Sequence, residues 1–484
     1  MSEIAQSPTQ KDHNTNASKF PELDRIYSLQ KNNLQTLKNR SARERIKAID
    51  RIRVYLSNEE NQELLCKAMY QDFGKPTAEV RVTELVPTLT HITEIKRNLH
   101  RWMRNSSHPV PIQFIGLNAK SKFEPKGQAL VIAPWNYPFF LSIYPALYAI
   151  AAGCSVILKP SELTPTTSAF IEKMFHELFE PAEVRVFQGE ISITTAMLDK
   201  KWGHIFFTGS PAVGKIVMEA ASKTLSSVSL ELGGKSPCVL DESANVPKMG
   251  ERLAWGKFVN AGQTCIAPDY VMVHESKRAD FEKEIKRVIE KFYGEKPKQS
   301  EDLARIISTK HTQRLEELIN ESVTQGAKVI VGGKVDVELK YVSPTIVINV
   351  DSNMKLMQEE IFGPILPVIY YSSNDEVIQQ INRLEKPLSM YILSSKRKNI
   401  EYFTNNTSAG GTLVNEFLLG AAIPSVPFGG VNNSGIGKAY GHHGFLEFSN
   451  ERAVVKRSFM SIKFIYPPYS PRVQKIIGWL KRFS

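Results

Sequence analysis

Apolar and polar positions follow two different rhythms along this chain of 484 residues. Between residues 21 and 105, apolar residues recur at helical spacing with charged residues between them, as at Ile49, Ile52 and Leu56. This spacing predicts amphipathic helices that bury one face. From about residue 108, alternating apolar residues and turn-forming residues predict a β-hairpin arm over 108–127.

Beyond the arm, short apolar runs alternate with helical segments. We expect strands at 129–132, 155–158, 184–187 and 204–207. A helix is expected over 145–152, and another begins where Thr164 can cap and Pro165 can occupy the first helical position. Such alternation predicts a parallel sheet with helices on both faces, and a second α/β series begins at about residue 232.

The most apolar window, residues 139–158, is long enough to cross a bilayer. Pro145 and Gly153 interrupt it, and its last part is β-branched and runs into Lys159. A buried helix followed by a buried strand therefore explains the window better than a membrane span does.

Composition places the chain among globular proteins, with 42% apolar and 23% charged residues. The formal net charge is +11, but eight basic residues and no acidic one lie between Arg452 and Ser484, so the rest is nearly neutral and does not indicate a nucleic-acid binder. Four cysteines without a CxxC pair predict neither a disulfide framework nor a metal site. The N-terminus lacks the apolar core of a secretory signal, so we expect a cytoplasmic protein with a disordered leader over 1–20.

Two strand ends offer candidate ligand contacts. In FTGSPAVG, Gly209 makes a turn after a strand, Ser210 can cap the next helix, and Gly214 allows close helix packing. Free N–H groups at such a helix start suit a pyrophosphate, but the spacing matches no usual nucleotide fingerprint, so an ordinary turn is an equal alternative. In KPSE, Lys159 and Glu162 could hold ribose hydroxyls or form a solvated loop.

Three further residues could carry chemistry. Cys265 in NAGQTCIAPDY has small polar neighbours, which favour a nucleophilic and a structural thiol equally. Glu231 ends an apolar strand, where burial would raise its pKa and make it a usable base, although a helix-cap or surface acid is the alternative. Asn136 in PWNYPF could donate to an oxyanion or satisfy the backbone of its turn.

In this order along the chain, the motifs resemble those of the aldehyde dehydrogenase superfamily. The resemblance covers about residues 21–470 and rests on PWNYPF, KPSE, FTGSPAVG, LELGGKSP, GQTC, EEIFGP and PFGGVNNSGIGK. IAPDY after GQTC and the YPPYSP ending are similar to the class 3 branch, which handles fatty and aromatic aldehydes. The resemblance implies an α/β fold with a Rossmann-type cofactor domain, an α/β catalytic domain and a β-hairpin oligomerisation arm.

The resemblance also implies a division of the chain and a homodimer. The NAD(P)-binding domain would cover 21–107 and 128–231, with the arm at 108–127 between them. The catalytic domain would cover 232–445, followed by an oligomerisation segment over 446–470 and a basic amphipathic tail over 471–484.

The same resemblance assigns roles to the candidate residues. Cys265 would attack an aliphatic or aromatic aldehyde to give a thiohemiacetal, Asn136 would stabilise the oxyanion, and Glu231 would activate the water that hydrolyses the later thioester to a carboxylic acid. NAD, with NADP possible, would receive the hydride. The expected cofactor contacts are Trp135, Lys159, Glu162, Gly209, Ser210, Gly214, Glu360 and Phe362. Glu162 favours NAD because a carboxylate repels a 2′-phosphate, yet this branch often accepts both cofactors.

The tail predicts a short amphipathic helix after Ser470 and Pro471. Its apolar stripe consists of Val473, Ile476, Ile477 and Leu480, with basic residues around it. Such a helix can lie on an anionic membrane surface, and the alternative is a helix that covers a subunit interface or the substrate entrance.

Two other functional classes compete with a hydrolytic dehydrogenase. The first is an inactive structural or membrane-surface binding protein on the same scaffold, against which the presence of Cys265, Glu231, Asn136 and Glu360 argues. The second is acyl transfer to coenzyme A, against which Glu231 argues because an activated water would compete.

Overall fold

The computed structural model describes residues 19–111, 114, 116–457 and 466–481. Most of the expected leader lies outside these residues, as does Phe483 of the tail. The described chain contains a six-stranded sheet, a seven-stranded sheet, a three-stranded sheet and a two-stranded ribbon.

The first part of the chain is helical, as its spacing predicts. Its helices are α1 (Pro21–Asn39), α2 (Ala42–Ser57), α3 (Glu59–Phe73), α4 (Thr77–Val80) and α5 (Val86–Trp102), and a π-helical turn at Arg81–Leu85 joins the last two. Ile49, Ile52 and Leu56 on α2 are fully buried, which confirms the predicted apolar face. The Ser41 hydroxyl and the Glu44 carboxylate form a capping box at the start of α2.

Parallel strands and helices follow a short antiparallel pair. The elements are β1 (Ser106–His108), β2 (Leu117–Pro125), β3 (Gln128–Ile132), α6 (Phe140–Ala152), β4 (Ser155–Lys159), α7 (Pro165–Leu178), β5 (Val184–Val186), α8 (Ile191–Leu198), β6 (His204–Thr208), α9 (Pro211–Ser222) and β7 (Ser227–Glu231). Strands β7, β6, β3, β4 and β5 are parallel neighbours in that order, so their carboxyl ends meet at one edge. The predicted strands and their parallel pairing are confirmed.

Helix α6 and strand β4 occupy the long apolar window and are buried throughout, as predicted. The helix begins at Phe140, earlier than expected, and contains Pro145. The Glu84 carboxylate accepts a hydrogen bond from the Phe140 N–H at 2.8 Å, so a residue distant in sequence stabilises this helix start. Complete burial of the helix offsets the hydrogen bond that the proline removes.

Helix α7 receives its cap from another helix. Thr164 precedes Pro165 as expected, but its hydroxyl makes no capping hydrogen bond. Instead, the Asp72 carboxylate from α3 accepts hydrogen bonds from the N–H groups of Thr166 and Thr167, at 3.0 and 2.8 Å. The prediction of capping by Thr164 was therefore wrong, because a tertiary contact supplies the acceptor.

The second α/β series forms the seven-stranded sheet. Its elements are β8 (Pro237–Leu240), α10 (Val246–Phe258), β9 (Tyr270–His274), α11 (Arg278–Tyr293), α12 (Thr309–Thr324), β10 (Lys328–Val331), β11 (Val335–Asp336), β12 (Tyr341–Val342), β13 (Thr345–Ile348), α13 (Lys355–Gln358), β14 (Ile365–Tyr371), α14 (Asn374–Arg383), β15 (Ser389–Leu393), α15 (Arg397–Asn406), β16 (Gly411–Val414) and α16 (Leu418–Ala421). The order is β10-β13-β14-β9-β8-β15-β16, with only the edge strand β10 antiparallel. Strands β11 and β12 form the ribbon.

The last part of the chain adds one strand to the six-stranded sheet and one strand to the three-stranded sheet. Its elements are β17 (Gly435–Ile436), α17 (Gly441–Glu447), β18 (Ser449–Arg457) and α18 (Pro471–Leu480). Strand β17 pairs antiparallel with β7 and completes the six-stranded sheet. Strand β18 pairs antiparallel with β2 over nine residues, so the expected arm and part of the expected oligomerisation segment form one sheet in the order β1-β2-β18.

The C-terminal helix α18 lies where the apolar stripe predicts it. Val473 is buried, whereas the side chains of Ile477 and Trp479 are 38% and 52% exposed. Across the part of the chain that the structure describes, no helix has the length and apolar character needed to cross a membrane.

Candidate active site

Two cavities meet between the two large sheets. The sheet-edge cavity, of about 220 Å³, lies at the carboxyl ends of β3, β6 and β7 and is lined by Trp135, Asn136, Gly209, Ser210, Glu360 and Phe362, among others. The apolar cavity, of about 100 Å³, is lined mainly by aromatic and aliphatic side chains. Thr208, Glu231, Leu232 and Cys265 line both cavities, so they lie at the junction.

Cys265 follows an irregular turn that buried amides hold in place. Asn260 and Ala261 have φ values of 55° and 51°, a left-handed conformation that is uncommon outside glycine. The Asn260 side chain donates hydrogen bonds to the carbonyl oxygens of Asn136, at 2.9 Å, and of Gln263, at 3.2 Å. The turn is thus tied directly to the segment that carries Asn136.

The environment of Cys265 keeps its thiol protonated. The thiol is free and partly exposed to the cavities. Burial, followed by the nearby carboxylates of Glu360 and Glu231, raises the pKa of Cys265 to about 12, whereas the N–H groups of Cys265 and Ile266 act in the opposite direction. Since the thiolate is the reactive form, a neighbouring base has to remove this proton before the sulfur attacks.

Glu231, the base expected from the sequence, lies at the junction of the two cavities. It ends β7, its carbonyl oxygen accepts a hydrogen bond from the Gly209 N–H at 3.0 Å, and β17 pairs with it on the other side. The side chain is 3% exposed and neither carboxyl oxygen has a hydrogen-bond partner among the described residues. Burial raises its pKa well above the usual value, in the direction that the sequence indicates.

Asn136 and Trp135 lie at the end of β3 on the wall of the sheet-edge cavity. Asn136 is buried, and it lines this cavity together with Cys265. The Trp135 ring meets the Phe362 ring edge-on, with centroids 5.3 Å apart. The chain therefore brings a side-chain amide and a thiol from distant parts of the sequence to one wall.

Glu360 and Phe362 lie on a loop that a buried lysine side chain holds in place. The Glu360 carboxyl lies so close to Gly233 that a side chain at that position would overlap it. Burial is the main cause that raises the pKa of Glu360 to about 8. The Lys235 ammonium, paired with the Asp269 carboxylate, donates to the Glu359 carbonyl oxygen at 2.9 Å, which fixes the loop.

The other expected cofactor residues lie at the same sheet edge but differ in what they contact. Ser210 caps α9 by accepting a hydrogen bond from the Val213 N–H at 3.4 Å. Gly214 faces Leu232, and a Cβ there would come within 2.8 Å of a Leu232 methyl group, so its role is close packing of the helix. The Lys159 ammonium lies 3.2 Å from the Glu162 carboxylate at the end of β4, outside the lining of either cavity.

His311 is a cavity residue that sequence reasoning missed. It belongs to α12, and its Nε2 lies 2.9 Å from the Phe362 carbonyl oxygen. Burial, followed by the charge of Arg314, lowers its pKa to about 4, so the ring is neutral and can donate to this oxygen. No motif marks this histidine in the sequence, because the surrounding helix is an ordinary amphipathic one.

Comparisons with known proteins show the family of the chain. The model of the aldehyde dehydrogenase family matches residues 8–454. The chain belongs to the aldehyde dehydrogenase family. A Staphylococcus aureus relative named 4,4'-diaponeurosporen-aldehyde dehydrogenase is 40% identical over 418 residues, which cover 86% of this chain and 90% of the relative. Aldehyde dehydrogenase family 3 member A2 of Pongo abelii is 38% identical over 457 residues, 92% of each chain.

A solved structure supports the same family at the level of the fold. The substrate-bound state of Staphylococcus aureus AldH has a TM-score of 0.90 and 36% identity, covering 95% of this chain and 99% of that chain. The predicted aldehyde dehydrogenase-like fold and the resemblance to the class 3 branch are therefore confirmed. Members of the family oxidise aldehydes with NAD(P), and this protein is accordingly an oxidoreductase.

The residues of the sheet-edge cavity fit NAD(P). The cavity lies at the carboxyl edge of a parallel sheet, where open α/β sheets bind nucleotides, and it reaches the start of α9 at Ser210. At this helix start, the positive end of the helix dipole favours a phosphate. Cys265 lines the same cavity, so a nicotinamide bound in it would lie near the sulfur.

Proposed function

We propose that this aldehyde dehydrogenase oxidises an apolar aldehyde to its carboxylic acid through a thioester on Cys265. The observation that carries this proposal is the position of Cys265 and Glu231, which both line the junction of the two cavities. A substrate in the apolar cavity and a cofactor in the sheet-edge cavity would therefore meet at the same sulfur and the same carboxyl group.

The first step joins Cys265 to the aldehyde. Glu231 accepts the thiol proton, and the sulfur forms a bond to the carbonyl carbon, which places negative charge on the oxygen. The Asn136 amide and the Cys265 N–H then stabilise this oxyanion by hydrogen bonds. Asn136 is suited to this role because the bond from Asn260 to its carbonyl oxygen holds its backbone.

A bound NAD(P) would supply the acceptor for the hydride of the former aldehyde carbon. Trp135, Ser210, Glu360 and Phe362 line the cavity that would hold its nicotinamide half and phosphates. Lys159 and Glu162, at the end of β4, are proposed to hold the adenine ribose. Glu162 favours NAD over NADP through repulsion of a 2′-phosphate.

The second step releases the acid. After Glu231 has released the thiol proton to solvent, its carboxylate removes a proton from a water molecule, the water oxygen bonds to the thioester carbon, and the carbon–sulfur bond breaks. The sulfur leaves as a thiolate and takes up a proton, and the product departs as a carboxylic acid. Neither Glu231 oxygen is engaged by another described side chain, which leaves both available to water.

The apolar cavity indicates the substrate class. Tyr137, Phe140, Tyr144, Trp255 and Phe428 contribute rings to its wall. Aliphatic residues from α16, including Leu418 and Leu419, also line it. Since burial of each methylene contributes about 0.8 kcal/mol, medium- and long-chain aliphatic or aromatic aldehydes are the proposed substrates.

Reduction of NAD(P) by the purified protein tests this function. We expect aldehyde-dependent absorbance of the reduced cofactor with decanal and benzaldehyde, and no such signal with Cys265→Ala. Acetaldehyde is the matched short substrate and should show a higher KM, because it fills little of the apolar cavity. Absence of cofactor reduction with every aldehyde would favour an inactive scaffold, and formation of acyl-coenzyme A would favour acyl transfer.

The proposed cellular location of this reaction rests on the C-terminal helix. Helix α18 exposes Ile477 and Trp479 beside the basic residues Arg472, Lys475 and Lys481. Exposed apolar and basic groups together favour the surface of an anionic membrane. We therefore propose a cytoplasmic enzyme that contacts membranes peripherally.

A further inference from the structure

Lys438 lies beside the Glu231 carboxyl group across a glycine. This lysine ends the motif PFGGVNNSGIGK, which returns the chain to the six-stranded sheet as β17. A Cβ built on Gly429 would lie 3.0 Å from Glu231 Oε1 and 3.2 Å from Lys438 Cδ. The lysine stem and the carboxyl group therefore pack against the same backbone atom, and a larger residue at Gly429 would separate them.

Backbone contacts fix the position of Lys438. Its ammonium donates hydrogen bonds to the carbonyl oxygens of Gly429 and, at 3.2 Å, of Gly430. Its backbone N–H donates to Glu447 Oε1 at 3.1 Å. Burial lowers the pKa of Lys438, and the charge of Glu231 counters that effect. The half-buried ammonium is thus held close to Glu231 without a direct hydrogen bond to it.

Glu447 opposes the effect of Lys438 on Glu231. A chain of hydrogen bonds holds its carboxylate in place. The Ser229 hydroxyl donates to Glu447 Oε2. Since the hydroxyl has one proton, its oxygen has to accept from His204 Nε2, which lies 3.0 Å away. His204 is neutral, because burial and then the charge of Lys126 lower its pKa well below the usual value. Glu447 therefore accepts at both oxygens, as a carboxylate does.

The other titratable groups that face Glu231 carry no charge at neutral pH. Tyr144 from α6, Tyr440 and Cys265 all interact with it, and burial raises the pKa of each of these groups. Among the described residues, Lys438 favours the charged form of Glu231 and Glu447 opposes it. Burial thus raises the pKa of the base, and one positive and one negative charge act on it in opposite directions.

We propose that Lys438 is a positioning residue that keeps Glu231 able to act as a carboxylate near neutral pH, and that Glu447 limits this effect. The inference rests on the proposed role of Glu231 in thioester hydrolysis. Lys438 acts through Glu231 and not on the substrate, so its loss changes the pH at which hydrolysis operates. The segment that carries Lys438 thereby links the last part of the chain to catalysis.

The pH dependence of acyl-enzyme hydrolysis tests the proposal. Cys265 is acylated with p-nitrophenyl acetate, and the decay of the acyl-enzyme is followed from pH 6 to 10. We expect Lys438→Met to slow the decay about tenfold at neutral pH and to regain the wild-type rate at high pH, which corresponds to an alkaline displacement of about one pH unit. Lys438→Arg should restore the wild-type profile, because it keeps the charge.

Glu447→Gln provides an opposite expectation. Loss of this negative charge should displace the profile towards acid and speed the decay at low pH. Lys173→Met, on the exposed face of α7, is the matched control and should leave the profile unchanged. A purely structural role for Lys438 and Glu447 would slow both variants at every pH.

Two results would overturn the inference in distinguishable ways. If Lys438→Met and wild type share one pH profile, or if Lys438→Met and Glu447→Gln move it in the same direction, Lys438 does not act through charge. If instead the wild type forms no acyl-enzyme while correctly folded, the proposed function fails, and the role of Lys438 fails with it. The Glu447→Gln measurement keeps the test decisive if Lys438→Met does not fold.

Discussion

Burial raises the pKa of the two proposed reactive groups of this site. The thiol of Cys265 has its pKa raised to about 12, and the Glu231 carboxyl has its pKa raised well above the usual value. The Glu231 charge also raises the pKa of the Cys265 thiol. Chemistry at the site therefore depends on proton transfer, and we propose that the charge of Lys438 adjusts how readily Glu231 takes part.

A buried ion pair contacts residues that flank Cys265. Lys75 and Glu84 form an ion pair with both side chains fully buried. The Lys75 ammonium lies 4.0 Å from the centroid of the Tyr137 ring, and the Tyr137 hydroxyl bonds Thr264 at 2.6 Å, next to Cys265. The pair thus underlies the residues that flank the nucleophile.

Lys75→Met is expected to lower stability by about 3 kcal/mol, because it leaves the Glu84 carboxylate buried without its partner. The midpoint of thermal unfolding measures this loss. Lys173→Met removes an exposed lysine of the Lys173–Glu177 pair and is expected to cost less than about 1 kcal/mol. Equal unfolding midpoints for the two variants would show that the buried pair contributes no more to stability than the exposed pair does.

The role of helix α18 follows less directly from its contacts with the rest of the fold than the role of any other element does. It is ten residues long, too short to span a bilayer, and its basic residues have no acidic neighbours within the helix. Because Val473 is buried while Ile477 is exposed, one part of its apolar stripe packs on protein and another part lies at the protein surface.

Removal of residues 471–484 is expected to abolish cosedimentation with vesicles containing phosphatidylserine. Trp479→Ser should weaken the binding while keeping the helix, since it removes one exposed aromatic side chain. Vesicles of phosphatidylcholine alone are the control and should bind little of any variant. Unchanged binding after the deletion would show that the tail covers protein instead.

At the level of the whole molecule, the three-stranded sheet has an exposed edge strand. Strand β18 continues the sheet at an outer edge, and eight of its nine residues are exposed. An exposed edge strand presents unpaired backbone groups that another chain can bind. Val454 and Val455 are 43% and 59% exposed on this strand, which adds apolar surface. We therefore propose that this edge contributes to a homodimer.

Val455→Asp is expected to shift the protein from dimer to monomer. A buried, unpaired carboxylate in the proposed interface would be unfavourable. Val323→Asp, at an exposed position on α12, is the matched control and should remain dimeric. Sedimentation velocity measures both variants, and a dimer that survives Val455→Asp would place the interface elsewhere.

The sequence allowed prediction of the features that depend on local pattern. Alternation of apolar runs identified the parallel strands, and Pro145 and Gly153 were enough to reject a membrane span in favour of a helix and a strand. The order of motifs identified the family and singled out Cys265 and Glu231, which line the same two cavities. Burial at the end of β7 indicated the direction of the Glu231 pKa.

Features that depend on distant contacts could not be predicted in this way. The cap of α7 comes from Asp72 on α3, and the pairing of β18 with β2 joins segments more than three hundred residues apart. His311 carries no local signal, because its importance comes only from the side chains that the fold places beside it. Lys438 ends a recognisable motif and Gly214 was expected to allow close packing, yet the sequence named neither Glu231 nor Leu232 as the neighbouring residue.

Mass spectrometry of the enzyme during turnover tests the central claim most directly. Glu231→Gln is incubated with NAD and decanal, then digested and analysed for acylated peptides. We expect a decanoyl group on Cys265 that accumulates in this variant and is short-lived in the wild type, because the variant lacks the base that activates water. Acylation of another residue, or oxidation of decanal without any acylated Cys265, would contradict the account.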